Sequence, residues 1–275
     1  MIPKIIHYCW FGGNPLPESA IKCIQSWKKY CPDYEIKEWN ESNFNINCCK
    51  YVQEAYKEKK WAFVSDYARF FILYNEGGIY FDTDVEVVKS FDDIIENGAF
   101  MGSEKIIAKN GKDSVGVNPG LGIGIEPKHE IFESILNFYN KQHFINEKGE
   151  MNTTTVVEYT SDIMKEHGWS PNNNIQNIDG IIIYPPEYFS PKDYVTGKIE
   201  LTEQTYSIHH YSASWFSTAD KMVIKISRYC NTHFQGQVGK NVSKVLTFPF
   251  RVRAKYEKLH FKGTVRFIMQ KIYKK

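Results

Sequence analysis

Two aspartates stand two positions apart in a segment from Ile79 to Val88 that alternates polar and apolar residues. Side chains at i and i+2 of a strand point to the same face, about 6 to 7 Å apart, so the carboxylates of Asp82 and Asp84 are expected to lie close together. Like charges at that distance need a cation or hydrogen-bond donors between them. A hard divalent ion, Mg²⁺ or Mn²⁺, shared with phosphate oxygens fits this pattern. The alternative is a solvated polar face on an edge strand.

One predicted helix upstream, Asp66 and Arg69 are three positions apart and share a helix face. An arginine beside a metal-bound diphosphate neutralises its charge, and an aspartate that binds no metal can accept hydrogen bonds from sugar hydroxyls. The alternative is a surface ion pair that contributes less than about 1 kcal/mol. Because Gly77 and Gly78 turn the chain directly into the acidic strand, we expect Asp66, Arg69, Asp82 and Asp84 to lie around one cavity.

A pair of histidines, His209 and His210, ends a short apolar segment and is a candidate for a further metal ligand or diphosphate contact. Neighbouring residues of a strand face opposite sides, so only one of the two can face the site. We prefer His210. A hydrogen-bonded structural histidine is the alternative for either residue, and His7, on a predicted buried strand, is interpreted as a core histidine.

The elements that would position these side chains alternate between strand and helix, which is typical of an α/β sheet. Strands are predicted at the start of the chain and near residues 34–39, 79–88, 180–184 and 207–211. Helices are predicted near residues 17–30, 62–76, 129–140 and 152–167. The helix over 62–76 has the clearest apolar band, and the Gly77-Gly78 pair supplies its left-handed stop.

The 275 residues are 42% hydrophobic and 15% aromatic, which excludes a disordered chain. No window approaches the roughly 18 uncharged apolar residues of a membrane span, and the first residues lack the features of a secretion signal. The six cysteines form no CxxC pair and are interpreted as reduced thiols. We therefore expect a cytoplasmic protein.

The charge of the chain is divided unevenly. Residues 1–220 hold 20 Lys and Arg against 31 Asp and Glu, a net charge of −11, whereas residues 221–275 hold 14 against one, a net charge of +13. We predict a catalytic domain over 1–220 and a basic helical extension over 221–275, with a break at the Phe248-Pro249-Phe250 sequence. The extension is expected to contact the anionic inner face of the cell membrane peripherally. A solvated or core-packed basic helix is the alternative, and no nucleic-acid-binding motif accompanies the charge.

Three separated motifs resemble glycosyltransferase family 32, which includes capsular polysaccharide transferases and α-1,6-mannosyltransferases and is related to the large glucosylating toxins. The motifs are the opening Ile6-His7-Tyr8-Cys9-Trp10-Phe11-Gly12-Gly13, the pattern Ser65-Asp66-x-x-Arg69 followed by Gly77-Gly78-x-Tyr80-x-Asp82-x-Asp84, and the late His209-His210 with Ser214-Trp215. The resemblance covers about residues 1–130 and 205–215 and leaves residues 221–275 uncovered.

The resemblance implies a GT-A type nucleotide-diphospho-sugar transferase fold, in which a mixed, mostly parallel sheet is flanked by helices. It also implies dependence on Mn²⁺ or Mg²⁺ and transfer with retention of the anomeric configuration. The resemblance also assigns roles residue by residue. For the nucleotide, Cys9, Trp10 and Trp61 line the pocket, Asn43 contacts ribose or base, and Ser214 and Trp215 close over the diphosphate. For the metal and the sugar, Asp84 binds the ion directly, Asp82 acts partly through water or ribose, Asp66 and Arg69 hold the donor sugar and its phosphate, Asn118 lies near the transferred sugar, and Tyr80 backs the site.

The function expected from these residues is transfer of a hexose from a nucleotide-diphospho-sugar to a glycan or lipid-linked glycan acceptor in surface polysaccharide biosynthesis, such as that of a capsule. A UDP-hexose is the favoured donor, and GDP-mannose is the family's other choice. Two alternatives remain open at this point: a noncatalytic sugar-nucleotide-binding protein, and a metal-dependent phosphohydrolase that uses Asp82 and Asp84.

Overall fold

The computed structural model describes residues 1–107, 112–212, 217–234 and 236–272, with side chains described as far as residue 256. The chain divides into two compact units. The first comprises residues 1–192 and 200–211, and the second comprises residues 193–199 and 212–275. The functional boundary predicted at residue 220 stays a prediction.

The first unit contains a seven-stranded sheet of order β2-β1-β3-β6-β5-β8-β7. Strand β1 is parallel to β2 and β3, β5 is parallel to β8, and β6 and β7 run antiparallel to their neighbours. A separate two-stranded sheet pairs β4 with β9. The nine strands are β1 Ile5–Cys9, β2 Glu35–Trp39, β3 Gly78–Tyr80, β4 Val85–Val87, β5 Phe100–Ile107, β6 Asp113–Ile125, β7 Gln176–Ile178, β8 Ile181–Tyr184 and β9 Ser207–His209.

Helices of the first unit supply the layers around this sheet. They are α1 Glu18–Tyr30, α2 Lys50–Lys57, α3 Trp61–Glu76, α4 Asp92–Glu96, α5 Glu130–Asn140, α6 Val156–Glu166 and α7 Pro186–Phe189. Residues of α3 and α5 share one buried apolar cluster with β6, whereas Trp27 of α1 belongs to a second cluster with Phe81. The mixed, mostly parallel sheet with flanking helices implied by the GT-A resemblance is therefore confirmed.

The segment 79–88, predicted as one alternating strand, is two strands joined by a turn, so that prediction was wrong. Strand β3 of the large sheet ends at Tyr80, and β4 of the small sheet begins at Val85. The Val85 amide donates to the carbonyl of Asp82 at 3.0 Å, which closes the turn. Alternation alone cannot reveal such a turn, because both strands keep the same polar–apolar pattern on either side of it. The two aspartates consequently lie where the chain leaves the large sheet.

His7 is a core histidine, as the sequence indicated. Its side chain is fully buried in β1; the indole Nε1 of Trp39 donates to Nδ1 at 3.0 Å, and Nε2 lies 2.9 Å from the carbonyl oxygen of Gly77. Both contacts are satisfied by the neutral tautomer with its proton on Nε2. Burial lowers the pKa of His7 to about 4, and the neutral ring therefore fastens the end of α3 to β1.

The second unit is mainly a pair of helices, α8 Thr218–His233 and α9 Gly236–Ile272. Basic C-terminal helices were predicted and are present, but the expected break at Pro249 was wrong, because α9 continues through this proline. Within the part of the chain that the structure describes, no helix combines the length and the apolar character needed to cross a bilayer.

Candidate active site

The Asp66–Arg69 pair is formed on the buried face of α3. The side chains share that face because they are three positions apart, and Arg69 Nη2 lies 2.8 Å from Asp66 Oδ1. Their side chains are only 4% and 11% exposed, so the pair differs from the surface ion pair considered as the alternative. Arg69 Nε also donates to the carbonyl of Ser65 at 3.1 Å. The guanidinium is thereby held in one orientation.

The same guanidinium reaches the first aspartate of the turn. Arg69 Nη2 lies 3.3 Å from Asp82 Oδ1, and the hydroxyl of Tyr80 donates to that oxygen at 3.0 Å. The guanidinium carbon lies 4.9 Å from the centre of the Tyr80 ring, at the distance of a cation–π contact. Arg69 Nη1 is buried and has no hydrogen-bond partner among the described residues. Such an orphaned donor indicates that an anionic or polar ligand completes the site.

Asp82, Asp84 and His209 form a cluster that could hold a metal ion. One ligand atom from each of the three lies within 4.8 Å of the others, and His209 Nε2 is 3.1 Å from Asp84 Oδ1. The small sheet brings them together, because His209 of β9 pairs directly with Val85 of β4, the residue after Asp84. The small sheet could not be foreseen from spacing alone, since more than 120 residues separate the aspartates from the histidine.

His210 lies apart from this cluster. Its Nε2 is 2.7 Å from Glu86 Oε2, and its backbone amide donates to the carbonyl of Asp84 at 2.9 Å. The two histidines face opposite sides, as expected for neighbours at a strand end. The geometry therefore favours His209 as the ligand, opposite to the preference for His210 that was drawn from the sequence.

The electrostatics of the cluster suit a bound cation. Burial acts to lower the pKa of His209, but the carboxylates of Asp84 and Glu104 outweigh it and raise the pKa to about 9. In the metal-free protein the imidazole is thus protonated and supplies positive charge among carboxylates. A divalent ion would supply that charge instead, with release of the proton. Two carboxylates and one imidazole are an acceptable donor set for Mn²⁺, whereas Mg²⁺ prefers oxygen ligands alone.

The pKa of the Asp66 carboxyl lies near neutral pH. Burial is the largest influence and raises its pKa to about 7, even though the neighbouring Arg69 guanidinium acts to lower it. A buried carboxyl that titrates near physiological pH is a common property of functional sites. Asp66 can therefore accept or donate hydrogen bonds with only a small change in free energy.

Asn118 lies on β6 beside the aspartate turn. Its Oδ1 accepts a hydrogen bond from the amide of Gly120 at 2.8 Å, and the carbonyl of Gly120 in turn accepts from the amide of Asp82 at 3.0 Å. A Cβ at Gly120 would overlap the Asp82 carboxylate and would lie 3.1 Å from Arg69 Nη1. The residue is a glycine because the aspartate and arginine occupy the space where a side chain would be.

Glu104 on β5 is a buried acid that the sequence reasoning missed. Its carboxylate accepts a hydrogen bond from the hydroxyl of Tyr211 at 2.9 Å and another from the side chain of Asn118. Burial raises the pKa of Glu104. The signal in the sequence was weak, because Glu104 stands between Ser103 and Lys105 in the strand, and only the pairing of β5 with β6 reveals its partner. Glu104 links Asn118 to Tyr211, two residues after the end of β9.

Three residues assigned to the nucleotide lie at the end of β1, directly after it and at the start of α3. Cys9 is buried, and burial raises the pKa of its thiol to about 12, so it is a packing group rather than a nucleophile. A Cβ at Gly12 would lie 2.6 Å from Trp61 Nε1, which places the Trp61 indole against the Gly12-Gly13 turn. Trp10 Nε1 donates to the carbonyl of Asn14 at 2.6 Å. Cys9, Trp10 and Trp61 thus surround one end of the strand.

The side chain of Asn43 stabilises the turn that follows β2. Its Oδ1 accepts from the amide of Asn40 at 2.9 Å, and its Nδ2 donates to the carbonyl of Glu38 at 2.8 Å. The structure does not bring this side chain into the aspartate–arginine cluster, and its contact with ribose or base stays a prediction. Ser214 and Trp215 lie outside the described residues.

Comparisons with known proteins agree with the site. Residues 17–101, which contain the Asp66–Arg69 pair and the aspartate turn, match the family described as "Glycosyltransferase sugar-binding region containing DXD motif". The chain is 27% identical over 206 residues to a mimivirus protein named uncharacterized glycosyltransferase L373 (Acanthamoeba polyphaga mimivirus), across 70% of this chain and 77% of that protein. The resemblance to glycosyltransferases drawn from the sequence is thereby confirmed, and residues 17–101 are similar to their DXD-containing sugar-binding region.

A second relative is the fission yeast (Schizosaccharomyces pombe) inositol phosphoceramide mannosyltransferase 3, which is 31% identical over 108 residues. The match covers 36% of this chain and 29% of the yeast protein, so the chain corresponds to less than a third of that relative. Among solved structures, the PaToxG glycosyltransferase aligns with a TM-score of 0.45 and 19% identity over 60% of this chain and 69% of that one.

Proposed function

We propose that the protein is a metal-dependent, retaining glycosyltransferase that moves a hexose from a nucleotide-diphospho-sugar to a glycan acceptor. The observation that carries this proposal is the convergence of two groups in one place. The Asp82, Asp84 and His209 cluster could hold a cation, and the buried Arg69 beside it presents an unpaired Nη1 among the described residues. A nucleotide diphosphate is the ligand that needs both.

Asp84 and His209 would bind the cation directly, and Asp82 would bind it directly or through water. The cation, bound there, would supply Lewis-acid stabilisation of the negative charge on the departing diphosphate. Arg69 contributes to the same stabilisation from the protein side, because its guanidinium is fixed by Asp66 and Asp82 before any ligand arrives. Donors fixed in advance in a buried site are worth far more than the same groups in water.

The donor sugar would lie between Arg69 and Asn118, with Asp66 accepting hydrogen bonds from its hydroxyls. The acceptor hydroxyl would attack the anomeric carbon from the face that the diphosphate leaves, and its proton would pass to the departing phosphate oxygen. This route requires no protein base. The roles of Asp66, Arg69 and Asn118 are then to bind and orient the sugar, which lowers the entropic part of the barrier.

We propose the donor and the acceptor as chemical classes. The sequence favoured a UDP-hexose, whereas the name of the yeast relative indicates that it transfers mannose, and GDP-mannose therefore stands beside UDP-hexose as a candidate. That relative is also named for a ceramide-linked acceptor. We propose a glycan or lipid-linked glycan acceptor in the synthesis of a surface polysaccharide, of which a capsule is one example.

The test is incubation of the protein with Mn²⁺ and a panel of UDP- and GDP-sugars, without and with glycan acceptors, followed by chromatography of the nucleotide products. A transferase gives a nucleoside diphosphate from one donor, slowly with water alone as acceptor. The Asp84→Asn variant should abolish this turnover, and Asp162→Asn, which removes an exposed carboxylate of α6, should leave it unchanged. Nucleoside monophosphate as the product would favour a phosphohydrolase. Tight donor binding with no turnover would favour a noncatalytic binding protein.

A further inference from the structure

The helical pair of the second unit is held together by small residues. Ser243 Oγ donates to Ser227 Oγ at 2.9 Å across the pair. Gly239, Ser243 and Thr247, spaced four positions apart on α9, are all buried, and a Cβ at Gly239 would overlap the carbonyl oxygen of Phe234. These contacts fix which face of α9 packs against α8, and therefore which faces are directed away from it.

An apolar surface adjoins this packed face. A groove of about 440 Å³ lies between the two helices and is lined by Met222, Lys225, Ile226, Tyr229, Leu246 and Phe250. Along α9 the surface continues through Val238, Val242 and Val245, which follow one another at helical spacing beside Leu246. Val238 is 59% exposed, Val245 is 73% exposed and Leu246 is 51% exposed. Exposed aliphatic side chains grouped in this way mark an interaction surface.

A basic surface occupies a different side of the same helix. Lys240, Lys244 and Arg251 are exposed and recur at spacings of four and seven, which places them on one face of α9. Lys225 brings a further positive charge to the rim of the groove. Residues 221–275 hold 14 Lys and Arg and only one acid. Whatever covers the apolar surface must therefore also accept an unbalanced positive charge.

We propose that this pair of helices docks on an anionic lipid bilayer, with the groove and the apolar strip of α9 (Val238, Val242, Val245 and Leu246) against the acyl chains. The basic side chains then lie at the level of the lipid phosphates, because long Lys and Arg side chains extend their charge toward the headgroups. The cytoplasmic leaflet of a cell membrane is such a surface. A second copy of the chain fits less well, since it would cover the apolar strip and leave the positive charge of residues 221–275 without an anionic partner.

Membrane docking goes beyond the proposed transfer reaction and does not depend on it. In combination with that reaction, docking would keep the protein on the surface that carries lipid-linked acceptors. The two can fail separately, because turnover of a water-soluble donor requires no membrane, and vesicle binding requires no donor.

The experiment is co-sedimentation of the full chain with vesicles of 30% phosphatidylglycerol in phosphatidylcholine, and with vesicles of phosphatidylcholine alone. We expect binding to the anionic vesicles that falls with added salt. The double variant Val245→Ser/Leu246→Ser keeps the charge, removes exposed apolar area, and should weaken binding at least tenfold. Lys240→Gln/Lys244→Gln should also weaken binding at least tenfold at low salt.

The matched control is Ile175→Ser/Leu201→Ser, which removes two exposed aliphatic side chains from the first unit and should bind like the unmodified protein. All variants concern exposed positions, and circular dichroism verifies that they are folded. The proposal is overturned by equal binding to the two kinds of vesicle, or by a Val245→Ser/Leu246→Ser variant that binds as tightly as the control. Loss of a dimer in that variant, measured by light scattering, would identify a second copy as the occupant instead.

Discussion

The Arg69→Met substitution separates the structural from the chemical role of the buried guanidinium. Methionine keeps most of the apolar stem and removes the charge that lies 2.8 Å from Asp66 and 3.3 Å from Asp82. Removing one partner of a buried ion pair costs about 3–5 kcal/mol. The pKa of Asp66 is about 7 beside Arg69, so unfolding is measured at pH 8, where the Asp66 carboxyl must either stay charged without its counter-charge or take up a proton. At about 2–4 °C per kcal/mol for a protein of this size, we expect the melting temperature to fall by roughly 10 °C.

The double variant Asp66→Asn/Arg69→Met removes both charges and should regain at least about 2 kcal/mol of that stability. Its donor turnover with Mn²⁺ should nevertheless stay at least 100-fold below that of the unmodified protein, because no guanidinium faces the diphosphate. A purely structural pair would instead recover activity together with stability.

The assays are denaturant unfolding and nucleoside diphosphate release. Asp162 and Lys165 provide the control, since they form an exposed pair on α6 with the same i, i+3 spacing and a 2.9 Å contact. Lys165→Met should change the free energy of unfolding by less than about 1 kcal/mol. The reasoning is refuted if Arg69→Met unfolds within 1 kcal/mol of the unmodified protein, or if it turns over donor at the unmodified rate.

Three further predictions address the neighbouring positions. Gly120→Ala should lower donor turnover at least tenfold with a small change in melting temperature, because the new methyl group displaces the Asp82 carboxylate; unchanged turnover would contradict this. His209→Ala should weaken Mn²⁺ binding at least tenfold, measured by calorimetry, whereas His210→Ala should leave it nearly unchanged, and the reverse order would show that the other histidine is the ligand. Since burial lowers the pKa of His7 to about 4, the unfolded chain binds a proton that the folded chain rejects between about pH 6.5 and 4. Stability should therefore fall by up to about 3 kcal/mol as the pH decreases through that window, and His7→Gln should remove this part of the slope in denaturant unfolding.

Local sequence patterns predicted the features that depend only on residues close together in the chain. The helix of α3 and its glycine stop follow from an apolar band and from Gly77, whose φ of 67° is rarely adopted by other residues. The Asp66–Arg69 pair follows from the i, i+3 spacing on that helix. These features depend on neighbours in the chain, so spacing is sufficient to predict them.

The features that the sequence did not predict depend on pairing between distant segments. The turn at Asp82 was hidden, because the chain passes from one sheet to another without a change of pattern. The choice of His209 over His210 depends on the register of β4 against β9, which no local rule supplies. Glu104 acquires its role only when β5 pairs with β6, and Gly120 acquires its role only when β6 pairs with β3. In each case the missing information is which distant strands pair with each other, and in which register.

The most direct test of the central claim is a crystal structure of the protein with MnCl₂ and UDP or GDP, with the ion located by its anomalous scattering. The account predicts one manganese peak about 2.2 Å from a carboxylate oxygen of Asp84 and a ring nitrogen of His209, with the diphosphate between the ion and Arg69 Nη1. A nucleotide bound away from Arg69, or manganese absent from Asp84 and His209 when the nucleotide is present, would contradict it.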